Sequence, residues 1–215
     1  AACSIALQAV GVPMNMVQCY LTSVQQMQYF LQTGFGLSKY SYGGTPDSIS
    51  MGLTQGSGAS PGAWSAISTV IVGAYKHQGY GAQFYSGWSG KDIYLAALLY
   101  VDDTDLLHSP HIANIPTKAL VQRVQKAITC WANLLQATGG SLKPQKCYWY
   151  LLSYKFVNGT APLRPLSELR SHTVDIPQPN NSTVPIELLD ASSPSKVLGV
   201  WTSPTSDGSK MITYM

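Results

Sequence analysis

Three of the ten acidic residues fall at Asp102, Asp103 and Asp105, directly after the apolar run Ile93-Tyr94-Leu95-Ala96-Ala97-Leu98-Leu99-Tyr100-Val101. Adjacent carboxylates at the end of a buried strand lose hydration unless a cation or hydrogen bonds replace it. A divalent metal ion is the natural counterpart, because hard cations take oxygen ligands. Taken alone, the pair is equally an ordinary polar turn, since Asp is frequent in turns. Its chemical meaning therefore depends on what flanks it.

Two other segments carry residues suited to a site. Gly52-Leu53-Thr54-Gln55-Gly56-Ser57-Gly58-Ala59-Ser60-Pro61 is a glycine-rich loop leading into a helix. Glycine there permits close backbone approach to a ligand, and Gln55 offers both a donor and an acceptor. Gly139-Gly140-Ser141-Leu142-Lys143-Pro144-Gln145-Lys146-Cys147 presents Lys146, with Lys143 as a substitute. Either lysine could protonate a leaving group as a general acid, and either could simply be a solvated surface cation. His108 and His111 flank Pro110 without a zinc-like spacing, and Cys3, Cys19, Cys130 and Cys147 contain no C-x-x-C pair. A structural zinc site is not expected, and the cysteines read as reduced, buried thiols of an intracellular protein.

The elements that must hold these residues follow from periodicity. Apolar residues from Asn15 to Leu31 recur at steps of three and four, predicting a helix that Asn15 can cap and Gly34 and Gly36 end. Ala1 to Ala9 begins another helix. Residues 38–62 read as a loop, Pro61 opens a helix through about Tyr75, and residues 78–90 read as a second glycine-rich connection. The run from Ile93 reads as a buried strand, with a turn at Asp102 and Asp103 and a return strand through Leu106 and Leu107. Thr117 can cap a helix with an apolar stripe at Leu120, Val121, Val124, Ile128, Trp131 and Leu135, closed by Gly139-Gly140. Trp131 and Trp149 are expected in the core. Asn158-Gly159 signals a hairpin between a strand over 147–156 and a return over 161–164. Short strands are expected at Thr173–Ile176, Val184–Leu188 and Lys196–Trp201.

In this setting Tyr100-Val101-Asp102-Asp103 resembles the Y-x-D-D box of reverse transcriptases, and the chain is similar to the reverse transcriptases of eukaryotic retroelements. The loop at Gly52–Pro61 resembles the family's Gln-Gly box, the segment at Gly139–Cys147 its helix-to-strand lysine box, and Lys196-Val197-Leu198-Gly199-Val200-Trp201 its primer grip. The resemblance implies an α+β fold, a polymerase palm-like antiparallel sheet with packed helices, incomplete at the N-terminus. It implies a partial palm with a remnant of the fingers over residues 1–156, and a primer-grip region with a possible start of a thumb over 157–215. The implied activity is RNA-directed DNA synthesis by two-metal nucleotidyl transfer from dNTPs to a primer 3′-hydroxyl. Asp102 and Asp103 would be metal-binding catalytic carboxylates, Lys146 catalytic, Gln55, Gly56 and Tyr100 nucleotide- or template-binding, and Leu198 and Gly199 the primer grip. Two Mg²⁺ ions, or Mn²⁺ in their place, an RNA template, a DNA primer and dNTP are the implied cofactors and partners.

The chain departs from the family in one respect. The family's third carboxylate comes from an earlier strand, and nothing before Asp47 is acidic. A missing upstream polymerase segment is therefore expected, with little activity from these 215 residues alone. The absent carboxylate equally suits a degenerate or domesticated element that binds nucleic acid without catalysis, and a structural domain with a chance Asp-Asp turn is a third reading.

Composition is compatible with the first two. Charged residues are 11% of the chain against 45% hydrophobic, so its surfaces are expected to meet something other than water. A net charge of +3 fits a polyanion partner. No apolar stretch is long enough to cross a bilayer, and no signal peptide is evident.

Overall fold

The structure, a computed structural model, describes residues 2–43, 57–110, 115–197 and 200–205. It is a mixed α+β fold that divides into two compact units, Ala1–His108 with Asn133–Gly140, and Ser109–Ala132 with Ser141–Met215.

In the first unit, α1 (Ala2–Ala9), α2 (Met14–Gln25) and α3 (Ser60–His77) supply most of the buried surface. Helix α1 packs on both α2 and α3. The interior is made largely of small and branched residues, including Ala6, Val17, Ala63, Ile67 and Ile71, with the fully buried Tyr75 as its one large ring. Pro61 lies at the first turn of α3 as expected, where its missing N–H costs no helical hydrogen bond.

Three separate hairpins complete this unit among the described residues. Strands β1 (Gln28–Thr33) and β2 (Gly36–Gly43) pair antiparallel, as do β3 (Ala82–Ser86) with β4 (Lys91–Leu95), and β5 (Ala97–Tyr100) with β6 (Asp103–Leu106). The first hairpin corrects the expected helix over 15–31, which ends at Gln25. Beyond it Gln28–Thr33 turns back through Gly34, Phe35 and Gly36, so these glycines close a hairpin rather than a helix. Asn15 is no cap either: Pro13 holds that position, and Asn15 Oδ1 accepts from the Met16 N–H at 3.0 Å inside the first turn. The connection expected over 78–90 likewise contains strand β3.

The second unit is organised differently. Helix α4 (Thr117–Ala137) begins in this unit with Thr117 as its first residue rather than its cap, the Thr117 hydroxyl lying 3.3 Å from Ser153 Oγ. Its end, from Asn133 on, belongs to the first unit and closes on Gly139 with φ +89°, the Gly140 N–H donating to Leu135 O at 3.0 Å. Strands β7 (Tyr148–Tyr150), β8 (Val174–Pro177) and β9 (Thr183–Leu189) form one sheet in the order β7-β9-β8. The β8–β9 pair is antiparallel and β7–β9 parallel, so the single antiparallel sheet expected is replaced by several small sheets, one of them mixed. The reason is the long excursion between β7 and β9, which passes through α5 (Leu166–Leu169) and returns the chain in the same direction.

A cluster of Val121, Trp149, Leu151, Leu169, Val174, Ile176 and Ile186 joins α4 and α5 to this sheet. Trp131 is also buried, so both tryptophans sit in the interior as expected. Gln125 on α4 seals the edge strand β8. Its Nε2 donates to Asp175 O and its Oε1 accepts from the Asp175 N–H, both at 2.8 Å, giving that edge partners it would otherwise offer to another chain. The Asn158-Gly159 hairpin is present as paired bridges at Tyr154–Leu163 and Val157–Thr160. Strands β10 (Ser195–Val197) and β11 (Val200–Thr202) form a further antiparallel pair. All four cysteines are free, but Cys3, Cys130 and Cys147 are only partly buried and Cys19 is exposed, which corrects the expectation of buried thiols: among the described residues the Cys19 side of α2 is left uncovered.

Candidate functional site

The acidic hairpin is held at its base. Leu107 N–H donates to the carbonyl of the buried Ala96 at 3.1 Å, closing the ladder below β5 and β6. The next residue, His108, lies with its ring 6.1 Å from that of Tyr80, which in turn sits 5.1 Å from buried Tyr75. His108 Nδ1 accepts from the Gly81 N–H at 3.5 Å. A histidine without metal-like company in the sequence thus has a structural use: it ties the acidic hairpin to the end of α3.

Gly81 is required where it stands. Its φ is +144°, and a Cβ there would lie 2.7 Å from the Tyr94 ring. That ring is fixed by its hydroxyl, which donates to Tyr80 O, and by Lys76 Nζ at 5.4 Å from its centroid. Tyr94 belongs to β4, which runs into β5 through Ala96, so this packing aims the hairpin.

At the tip the register pairs Tyr100 with Asp103 and Leu98 with Asp105. Alternation then gives the hairpin two unlike faces. Ala97, Leu99, Thr104 and Leu106 are half-buried, while Leu98, Tyr100, Asp103 and Asp105 are exposed. The strand expected to be buried is therefore covered on one side only, because its apolar residues are divided between both faces. Tyr100 is 60% exposed and Val101 64%.

The turn itself lies at Val101 and Asp102, one residue earlier than expected, with Asp103 already in β6. Val101 has φ +55°, a conformation a β-branched side chain enters only at a cost. A Gly or Asn would be the ordinary choice at such a position. Strain of this kind is retained where the surrounding structure or a function demands it, and it offers the tip's carboxylates in one fixed turn.

Asp103 and Asp105 share the exposed face. Loss of hydration, together with repulsion from the Asp103 carboxylate, raises the Asp105 carboxyl above the ordinary range. Such a pair repels itself until a cation or proton intervenes. The oxygen donors thus have the right chemistry for Mg²⁺, but among the described residues no three His, Cys, Asp or Glu side chains form a group that could hold a metal ion. The fit is in kind and not in number, so no catalytic step is derived through bound ions.

The other expected site residues fall elsewhere. Lys146 is exposed at the end of a 3-10 turn, Pro144–Lys146, and belongs to the second unit, as does Lys143. Gln55, Gly56, Leu198 and Gly199 lie outside the described residues, as do Asp47 and His111. Val197 and Val200 pair across the expected primer-grip segment. The structure thus brings together Tyr100, Asp102 and Asp103 at one tip, and adds Val101 and Asp105. Period two from Asp103 was enough to place Asp105 on the same face, whereas nothing in the residue preferences of valine announces the turn at Val101.

No family model matches the chain, and no match was found among curated proteins or solved structures.

Proposed function

We propose that the chain is part of a reverse-transcriptase palm, with Asp102 and Asp103 as metal-binding carboxylates and Tyr100 beside them at the primer end. The observation that carries this reading is the tip of the β5–β6 hairpin. The four residues of the Y-x-D-D box occupy an antiparallel two-residue turn, pairing Tyr100 with Asp103, with Val101 forced to φ +55°. A β-branched residue at positive φ is costlier than the Gly or Asn an unconstrained turn would use, which supports a position set by more than the turn itself.

Asp102 and Asp103 would hold divalent ions, which would supply charge stabilisation to nucleotidyl transfer. The contribution of the chain is to hold carboxylate oxygens at the hairpin tip, anchored at its base through His108, Tyr80 and Ala96. Exposed Tyr100 can pack against a sugar or base. Template, primer and dNTP are the proposed partners; the role of Lys146 at the pyrophosphate, and those of Gln55, Gly56, Leu198 and Gly199, stay part of the same proposal.

The lack of a third carboxylate in the group among the described residues favours a second reading, a degenerate element that binds nucleic acid without polymerising. Primer extension separates them. The protein, with any upstream segment its gene encodes, is given a primed RNA template, dNTPs and Mg²⁺. Extension that Asp102→Ala abolishes supports the polymerase. Extension unchanged by that substitution sinks the metal assignment, and binding without extension supports the second reading.

A further inference from the structure

The β1–β2 ribbon adds nothing to the interior of its unit, since no residue of either strand is buried. Phe30, Leu31, Phe35, Leu37, Tyr40 and Tyr42 all stand exposed. A lone two-stranded ribbon is marginal in water, so one this rich in rings suits a partner that brings planar apolar surface.

Charge and ring arrangement narrow the partner. No acidic residue precedes Asp47, and Lys39 is the one charged side chain among residues 1–46. Lys39 Nζ lies 5.6 Å from the centroid of the Tyr40 ring, so a cation and an exposed π face are presented together. The Tyr42 ring is stacked on Tyr29 across the strands, with centroids 5.5 Å apart and planes 26° apart. That stack orients Tyr42 before any ligand arrives, lowering the entropic cost of binding. Tyr40 stands next to Ser41 at an irregularity in the ribbon, where the register moves from Phe30–Ser41 to Gln32–Leu37, and a bulge of this kind re-aims a side chain away from the regular alternation.

We propose that the β1–β2 ribbon is a stacking platform for single-stranded nucleic acid, with Tyr40 and Tyr42 each receiving a base and Lys39 a phosphate. The proposal deepens the polymerase reading and rests on it only for the class of ligand. Every base has a π face, so binding at the ribbon tolerates any sequence. Neighbouring Gln28 and Gln32 carry uncharged amide donors that do not repel phosphates, while Ser38 is engaged with Leu31 and Tyr40, and Ser41 with Gln28.

Fluorescence anisotropy of a labelled oligo(dT) strand with the whole 215-residue chain, in EDTA, tests it. Tyr40→Ala is expected to weaken binding roughly tenfold, Tyr40→Phe to leave it unchanged, and an abasic strand of equal length, which loses the stack on Tyr42 as well, to bind more weakly than the intact strand binds the alanine variant. Lys39→Gln should reduce the slope of log affinity against log salt by about 0.7. Tyr40 is 77% exposed, so its removal should leave the thermal melt unaltered. Equal binding of base-bearing and abasic strands overturns the proposal, as does a neutral Tyr40→Ala. So does concentration-dependent self-association that Tyr40→Ala abolishes while oligo(dT) fails to bind, which would make the ribbon an interface between copies. With divalent ions chelated, failure here leaves the dependence of primer extension on Asp102 as a separate question, and failure of extension leaves oligonucleotide binding to stand or fall alone.

Discussion

The two units bury themselves by different means. The second gathers branched and aromatic side chains from helix and sheet into one cluster around Trp149, Val174 and Ile176. The first closes its helices over alanines and valines and leaves three two-stranded hairpins with Phe30, Tyr40, Phe84, Trp88 and Tyr100 in the open. The units thus differ in what they bury, and the acidic hairpin belongs to the first. Hairpin tips carrying carboxylates and strained turns are poor material for a core, whereas a site must expose such groups to its ligand.

The contrast can be broken most forcefully in the second unit. Ile176→Ala should cost about 2–5 kcal/mol, because it opens a cavity in a fully enclosed cluster, read as a lower denaturant midpoint. Leu98→Ala on the exposed hairpin face should cost no more than about 0.5 kcal/mol. A similar loss at both positions would erase the distinction between the units.

A smaller effect is expected at Gly81, the point in the first unit where backbone and ring are most closely fitted. Gly81→Ala should cost about 1–3 kcal/mol, since it combines a left-handed backbone with a Cβ against Tyr94. If the hairpin is aimed by this packing, the resonances of residues 97–106 should shift while those of β8 and β9 stay put. Val101→Gly should act in the opposite direction and stabilise by about 1 kcal/mol, by releasing the turn from its strained φ. A destabilising Val101→Gly would mean that the side chain contributes more than its backbone costs.

The smallest expected effect is electrostatic. The folded-state carboxyl of Asp105 is raised, so folding favours its protonated form. Its cost is fully present above the raised value and disappears as pH falls through the ordinary carboxylate range. Asp105→Asn should therefore raise stability slightly at neutral pH, with no difference from the wild type in acid. A gain that persists unchanged at low pH would remove the ionised Asp105 carboxylate, with its lost hydration and its repulsion from Asp103, as the cause.

The same contrast explains which elements could be read from the sequence. Helices α3 and α4 were legible because a buried stripe imposes a period and because Pro61 and Gly139 punctuate their ends. Strands β8 and β9 were legible because alternation reports one covered face. The β1–β2 ribbon was not, since residues exposed on both faces obey no burial period, and Met27, Phe30 and Leu31 happen to continue the spacing of the preceding helix. Strand β3 is five residues between glycines and looked like a connection. At the candidate site, Tyr100, Asp102 and Asp103 could be named from their order alone. The exposure of Tyr100 and the conformation of Val101 could not, because an apolar run specifies neither which face is covered nor how a turn is strained.

The central claim is that the tip of β5–β6 holds a divalent cation. Nuclear magnetic resonance of the 215-residue chain during titration with Mn²⁺ tests it without requiring turnover. The amides from Tyr100 to Asp105 should broaden first, and Asp102→Ala with Asp103→Ala should abolish that broadening while leaving the hairpin shifts otherwise intact. Broadening that begins elsewhere, or that survives loss of both carboxylates, would contradict the claim.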